Sequence, residues 1–282
     1  MAFSIQKGST QNPNKCTVKV WNVAPETRAL IEAIGNVLVL KAGYSEDVGP
    51  MTIFAGDVTR SLTVREGPDW ITELELQDGL TEFRDSKVSI SFAAGATTTQ
   101  VIKDLSKRFG LPVRPLPLDV AGKQYKAGFA FVGRVRDGLN KACEHMGLEW
   151  SIQNREIQII KRGGVLTQKA YLLTPDTGLV GSPMQESKTM TEKAAAKLGF
   201  TATQPGVRKT FELNREGQFE PMLMVLGYKV KTLLQPLMEP GGYVQVKSRS
   251  IDGEFFRVEE LTHIGDTHGN EWHTELTLRY VK

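Results

Sequence analysis

Three of the chain's four histidines fall within fifteen residues, in Thr262–Leu276, "THIGDTHGNEWHTEL", together with Asp266, Glu271 and Glu275. Imidazole and carboxylate groups at this density could ligate a metal or act as an acid/base pair. Treated as a hairpin with the loop "GDTHGNE", the stretch sets Ile264 across from Trp272, Val258 across from Leu278 and Phe256 across from Tyr280. That face is apolar and is expected to be core. On the other face His263 then lies opposite His273, and Asp266, His268 or Glu271 could supply a third ligand. There is no HExxH and no paired CxxC, and the same residues also suit a polar outer face. The polar-face reading is preferred, so no metal, no cofactor and no catalytic residue are expected. His263, Asp266, His268 and His273 are expected to lie at an interface, Ile264 and Trp272 to close one end of a core, and Gly265 and Gly269 to let the loop turn.

Other chemical signatures are weak. "FAAGATTT" precedes a helix but lacks GxxxxGK[ST] and GxGxxG spacing, so it reads as a strand-to-helix turn with caps. No GxSxG elbow occurs, and the cysteines, Cys16 and Cys143, are widely separated and read as small buried hydrophobes. The N-terminus lacks a signal-peptide pattern, and no apolar run approaches the ~18 residues of a membrane helix, so cytosolic synthesis without a membrane anchor is expected.

Charge divides the chain. Residues 1–86 carry 8 Lys/Arg against 12 Asp/Glu, a net of −4; residues 87–163 carry 13 against 6, a net of +7; residues 164–282 carry 14 against 14. A basic middle module is therefore expected, with Lys103, Lys107, Arg108, Arg134 and Arg136 on a face that docks protein or meets phosphates. It lacks interleaved exposed aromatics, which favours protein docking over nucleic acid.

The elements that must position these groups are mostly strands. "KCTVKVWNV" alternates with Cys16, Val18 and Val20 on one face, and "NVLVLKAGY", "MTIFAGDVTRSLTVREG" and "DWITELELQDG" follow, with a short helix in "PETRALIEAIG". After "KVSISF", the stretch "ATTTQVIKDLSKRFGL" predicts a capped helix with Val101, Ile102, Leu105 and Phe109 inward. A second helix carries Val135, Leu139, Ala142 and Met146, and a hairpin turns at Asn154-Arg155. From Val165 strands return, interrupted by an expected extended arm at about 187–220. The predicted fold is mainly β: two antiparallel barrel or sandwich domains, 1–86 and 164–282, flanking an inserted α/β module at 87–163.

The order of these pieces resembles a known family. "NKCTVKVWNV", "LVLKAGY", "IFAGDVTR" and "LQDG" are similar to the tail-tube-type β-barrel at the start of phage baseplate hub proteins. "ATTTQVIKDLSKRFGL" and "KAGFAFVGRVRDGLNKACEHMGLEW" resemble the small α/β module of those hubs. "TGLVGSP", "VKTLLQPLMEPGGYVQVKS" and "DGEFFRVEELTHIGDTHGNEW" are similar to their second tube-like barrel, and to tube initiators of contractile tails. The resemblance spans nearly the whole chain, although it starts at "FSIQ", where such hubs often have earlier β structure. It implies a non-enzymatic virion protein of the tail baseplate, assembled in the host cytoplasm as a homo-oligomeric ring of threefold or sixfold symmetry. Its implied partners are tube, spike, baseplate or sheath-associated proteins, with DNA or a tape-measure protein in the lumen. Two other classes stay open at this point: a metal-dependent hydrolase using the His263/His273 hairpin, and a nucleic-acid-binding protein acting through residues 87–163.

Overall fold

A computed structural model describes residues 1–46, 49–117, 122–167, 169–213 and 218–281. The fold is mostly β, as the alternating patterns require. The chain forms two compact units, the first built from Met1–Ile160, Leu234–Leu237 and Thr262–Trp272. The second is built from Lys161–Leu233, Met238–Leu261 and the residues from His273 onward. Segments 1–86 and 87–163, which differ so much in charge, thus share one unit.

In the first unit the elements are β1 (Ala2–Gly8), β2 (Lys15–Trp21), α1 (Pro25–Glu32), β3 (Val37–Ala42), β4 (Met51–Glu66), β5 (Asp69–Gln77) and α2 (Leu80–Asp85). Then come β6 (Lys87–Phe92), α3 (Thr98–Phe109), β7 (Phe129–Arg134), α4 (Val135–His145), β8 (Leu148–Gln153) and β9 (Glu156–Lys161). The first five strands pair antiparallel in the order β1-β2-β5-β4-β3. Cys16 lies beside Leu76 and Val18 beside Leu74, so the period-two pattern puts these side chains into one core with Phe3, Ile5, Ile53 and Phe54. Burial pushes the Cys16 thiol up to about 12, which leaves it an unreactive packing group.

The module is a two-helix layer against the antiparallel pair β6-β7 and the hairpin β8-β9. Helix α3 starts where expected, because Thr97 accepts from the Gln100 amide and Gln100 reciprocates at the Thr97 N–H, and it ends on the left-handed Gly110. Val101, Ile102, Leu105 and Phe109 of α3 meet Val135, Leu139 and Ala142 of α4 around Trp150.

The second unit contains β10 (Tyr171–Leu173), β11 (Leu179–Thr191), α5 (Glu192–Lys197), β12 (Val207–Leu213), β13 (Phe219–Leu233), β14 (Tyr243–Lys247), β15 (Asp252–Asp266) and β16 (Trp272–Tyr280). The strand order is β11-β13-β16-β15-β14-β10, with β12 added to the start of β13. Val230 beside Leu276, Tyr228 beside Leu278 and Val244 beside Phe256 build its core. On the opposite face Arg279, Gly227 and Glu186 form one row across three strands. A Cβ on Gly227 would lie 2.2 Å from the Arg279 guanidinium, so the missing side chain lets that guanidinium cross the central strand to Glu186, 3.2 Å away. Segment 187–220, expected as an extended arm, supplies the end of β11, α5, β12 and the start of β13. Its Met190 and Ala195 pack on Leu223 and Val225 in a small core of their own.

Candidate functional site

The hairpin that holds the histidines differs from the uninterrupted register expected for it. Phe256 and Val258 are buried, Glu259 and Glu260 are both outside the core, and Leu261, His263 and Gly265 are buried again. The alternation slips by one residue between Val258 and Leu261, and such a slip sends every later side chain to the opposite face. His263 is therefore fully buried, while Ile264, expected in the core, is only half-buried. Burial first, with the Lys7 ammonium nearby, pushes the His263 imidazole down to about 3, so the ring is neutral at physiological pH. His273 is buried as well, beside Leu233 in the sheet, with Nε2 3.6 Å from Glu275.

The loop itself stands in a small set of hydrogen bonds. The Asp266 N–H donates to Glu271 O at 2.7 Å, His268 N–H donates to Asp266 Oδ1 at 2.9 Å, and Thr267 N–H donates to Met1 O at 3.0 Å. Backbone donation from His268 holds the Asp266 carboxyl below its ordinary range. His268 is exposed and Asp266 half-exposed, so of the four interface residues expected here these two face solvent. Gly269 works in the turn, since a Cβ there would meet Asp266 Oδ2 at 2.8 Å. Gly265 has a different role from the one expected. It sits in β15, and its missing side chain is filled by the Phe3 ring, whose Cζ would lie 2.3 Å from a Cβ. Phe3 and Trp272 meet edge to face at 5.6 Å, which places Trp272 at the margin of the first core. Among the described residues no group of three or more His, Cys, Asp or Glu side chains is placed to hold a metal ion.

The basic residues lie largely on the surface of the module. Lys103, Lys107 and Arg108 point outward from α3, with Arg108 paired to Asp104 at 3.5 Å. Arg134 is exposed at the start of α4, whereas the half-buried Arg136 stacks its guanidinium on Phe83 at 4.6 Å. On another side of the module an open cleft of about 1090 Å³ is lined by Lys123, Tyr125, Lys126, Phe129, Lys141 and His145. His145 stacks on Tyr125 there.

A buried polar junction escaped the sequence reading. The Asn154-Arg155 turn, in left-handed backbone at both positions, inserts between the sheet and α2. Its two N–H groups donate to the Asp78 carboxylate at 2.6 and 2.7 Å. The Arg155 guanidinium bridges Asp57 and Glu82, each at 2.6 Å. The Lys7 ammonium donates to Asn154 Oδ1 at 2.9 Å, and Asn14 donates to Ile152 O and Gln153 Oε1. Burial pushes the Asp78 carboxyl up to about 6, against the pull of the two N–H donors and Lys7. Asp57 is also raised by burial, and Arg155 opposes the rise. "LQDG" and "QNRE" carried the only sequence trace of this site: polar residues next to the ends of apolar strands.

No protein-family model matches the chain, and no curated protein matches it by sequence. Solved structures do match. A 43 kDa tail protein of prophage MuSo2 from Shewanella oneidensis superposes with a TM-score of 0.63 at 12% identity, covering 99% of this chain and 94% of that one. The tail protein from Neisseria meningitidis gives 0.61 at 10% identity, covering 99% and 91%. An E. coli component of the type VI secretion system, itself structurally similar to T4 bacteriophage tail proteins gp27 and gp5, gives 0.59 at 13% identity, covering 100% and 74%. Since these likenesses run over essentially the whole chain and include both units and the module, this protein has the β-rich fold of phage and type VI secretion tail proteins.

Proposed function

We propose that this chain is a structural protein of a phage-type tail, acting as a baseplate hub or tube initiator. In this role it forms a ring at the base of the tail tube and joins tube, spike and surrounding baseplate proteins. The observation that supports the reading most is the match over 99% of the chain to a prophage tail protein of which it covers 94%. A partial match would be compatible with a shared domain in an unrelated assembly. The residues that could do chemistry point the same way. His263 and His273 are buried, and the conspicuous polar groups of the first unit are spent on holding its module to its sheet. Exposed Lys103, Lys107, Arg108 and Arg134 suit acidic surfaces of neighbouring tail proteins. Ring assembly needs large, specific interfaces with closed symmetry.

The test is electron microscopy and light scattering of the purified chain, alone and mixed with phage-type tail-tube and spike proteins. Rings of threefold or sixfold symmetry are expected. A chain that stays monomeric with every such partner would refute the reading. Binding to DNA that falls steeply with ionic strength and is lost on reversing Lys103, Lys107 and Arg108 would move the assignment to a nucleic-acid-binding role.

A further inference from the structure

A buried amine meets a carboxamide inside the first unit. Gln6, Lys15 and Gln77 lie side by side across β1, β2 and β5. The next row is Lys7, Asn14 and Asp78, with the Asp78 N–H donating to Asn14 O at 3.0 Å. By alternation this row shares the inner face of Ile5, Cys16 and Leu76, and its residues are 3%, 4% and 0% exposed. A buried ammonium is costly, and an apolar side chain would fill the same place at less penalty. Packing alone gives no reason for a lysine there.

The turn between β8 and β9 closes over the row. Lys7 Nζ lies 2.9 Å from Asn154 Oδ1. A C=O bond is about 1.23 Å long, so the electrophilic Asn154 Cγ stands no more than about 4.1 Å from the amine nitrogen. A small side-chain rotation brings the two to the roughly 3–3.5 Å of a near-attack pair. Asp78 fixes the turn that aims the carboxamide, accepting from the Asn154 and Arg155 N–H groups at 2.6 and 2.7 Å. The Lys7 charge acts on Asp78, and burial works against a charge on either group. Passing one proton from Lys7 to Asp78 turns two buried charges into two neutral groups.

We propose that Lys7 and Asn154 join through an isopeptide bond, which ties β1 to the β8-β9 turn and so the sheet to the module. The ammonium gives one proton to the Asp78 carboxylate. The neutral amine then attacks Asn154 Cγ; the Nζ–Cγ bond forms and the Cγ–Nδ2 bond breaks. A second amine proton leaves with Nδ2 as ammonia, and Asp78 stays protonated, a neutral acid in a buried site. No oxidant or co-reactant is consumed. The charged Lys7 described above is the state before the bond forms. Once formed, the bond closes residues 7–154 into one covalent loop, so unfolding no longer separates β1 from the module.

The test is the intact mass of the full chain, measured on purification and through a week at neutral pH. The wild type should fall below the mass calculated from its sequence by one ammonia. Trypsin should then release a species joining a peptide that ends at Lys15 to residues 142–155, since a bonded Lys7 is no longer a cleavage site. Lys7→Met removes the amine, and Asn154→Gly removes the carboxamide while suiting the left-handed backbone. Both should keep their full calculated mass with unchanged far-UV circular dichroism. Asp78→Asn should slow the loss of ammonia about a hundredfold or more, the usual effect of removing a proton-transfer group. A folded wild type that keeps its full mass overturns the bond. Loss of ammonia that persists in Lys7→Met overturns it too, because Asn154 is then cyclising on its own backbone. An Asp78→Asn chain that reacts at the wild-type rate overturns the part given to Asp78.

Discussion

Two buried ionisable groups in the first unit push its stability in opposite directions over the same pH range, and separating them is a sharp test of the junction. His263 is held at about 3, against an ordinary value of 6.5. The unfolded chain therefore binds a proton that the folded one refuses, and the stability this histidine contributes, full above pH 6.5, is lost as pH falls toward 3. Asp78 is held at about 6, against 3.8. The folded chain keeps its proton longer than the unfolded one, so stability rises as pH falls through 6 and levels off below 3.8. Between pH 8 and pH 5 linkage gives a loss of about 2 kcal/mol through His263 and a gain of about 1.4 kcal/mol through Asp78. Wild-type stability should thus change little from this pair, by about 0.6 kcal/mol. Asp78→Asn leaves the histidine unopposed, and its stability should drop by about 2 kcal/mol more at pH 5 than at pH 8 from that group. His263→Gln should do the reverse and gain about 1.4 kcal/mol on acidification. Urea unfolding at the two pH values measures each difference, and the contributions of other carboxylates cancel in the comparison with wild type. If the three proteins show parallel pH dependence, the assignment of these two groups as the opposing pair is wrong.

Two further outcomes follow from the same unit. Arg155→Met removes the cation that bridges Asp57 and Glu82, whose side chains are only 7% and 18% exposed, and should cost about 3–5 kcal/mol at neutral pH. The deficit should shrink at pH 5 as the abandoned carboxyls take up protons, and urea unfolding at both pH values checks it. Gly265→Ala forces a methyl group against the Phe3 ring and should cost about 1–3 kcal/mol with a changed Trp272 near-UV signal, whereas Gly269→Ala, which meets only the Asp266 carboxylate, should cost less.

The mainly β fold, the two module helices and the Asn154-Arg155 turn are legible in the residue order alone. These rest on local signals: period-two alternation in "KCTVKV", the Thr97/Gln100 capping pair, and the glycine that stops α3. The face that His263 takes is set by packing in the folded chain. A one-residue slip after Val258 leaves almost no trace in composition, since Glu259-Glu260 is as compatible with plain alternation as with a bulge, yet it reverses every side chain beyond it. Tertiary structure also decided that the acidic and basic segments share a unit. The contacts that unite them, Asp78 with the 154–155 turn and Arg155 with Asp57 and Glu82, join residues more than seventy positions apart, and no local pattern encodes such a pairing. The same holds for Gly265, legible as a turn former but needed because a ring from the opposite end of the chain occupies the space its side chain would take.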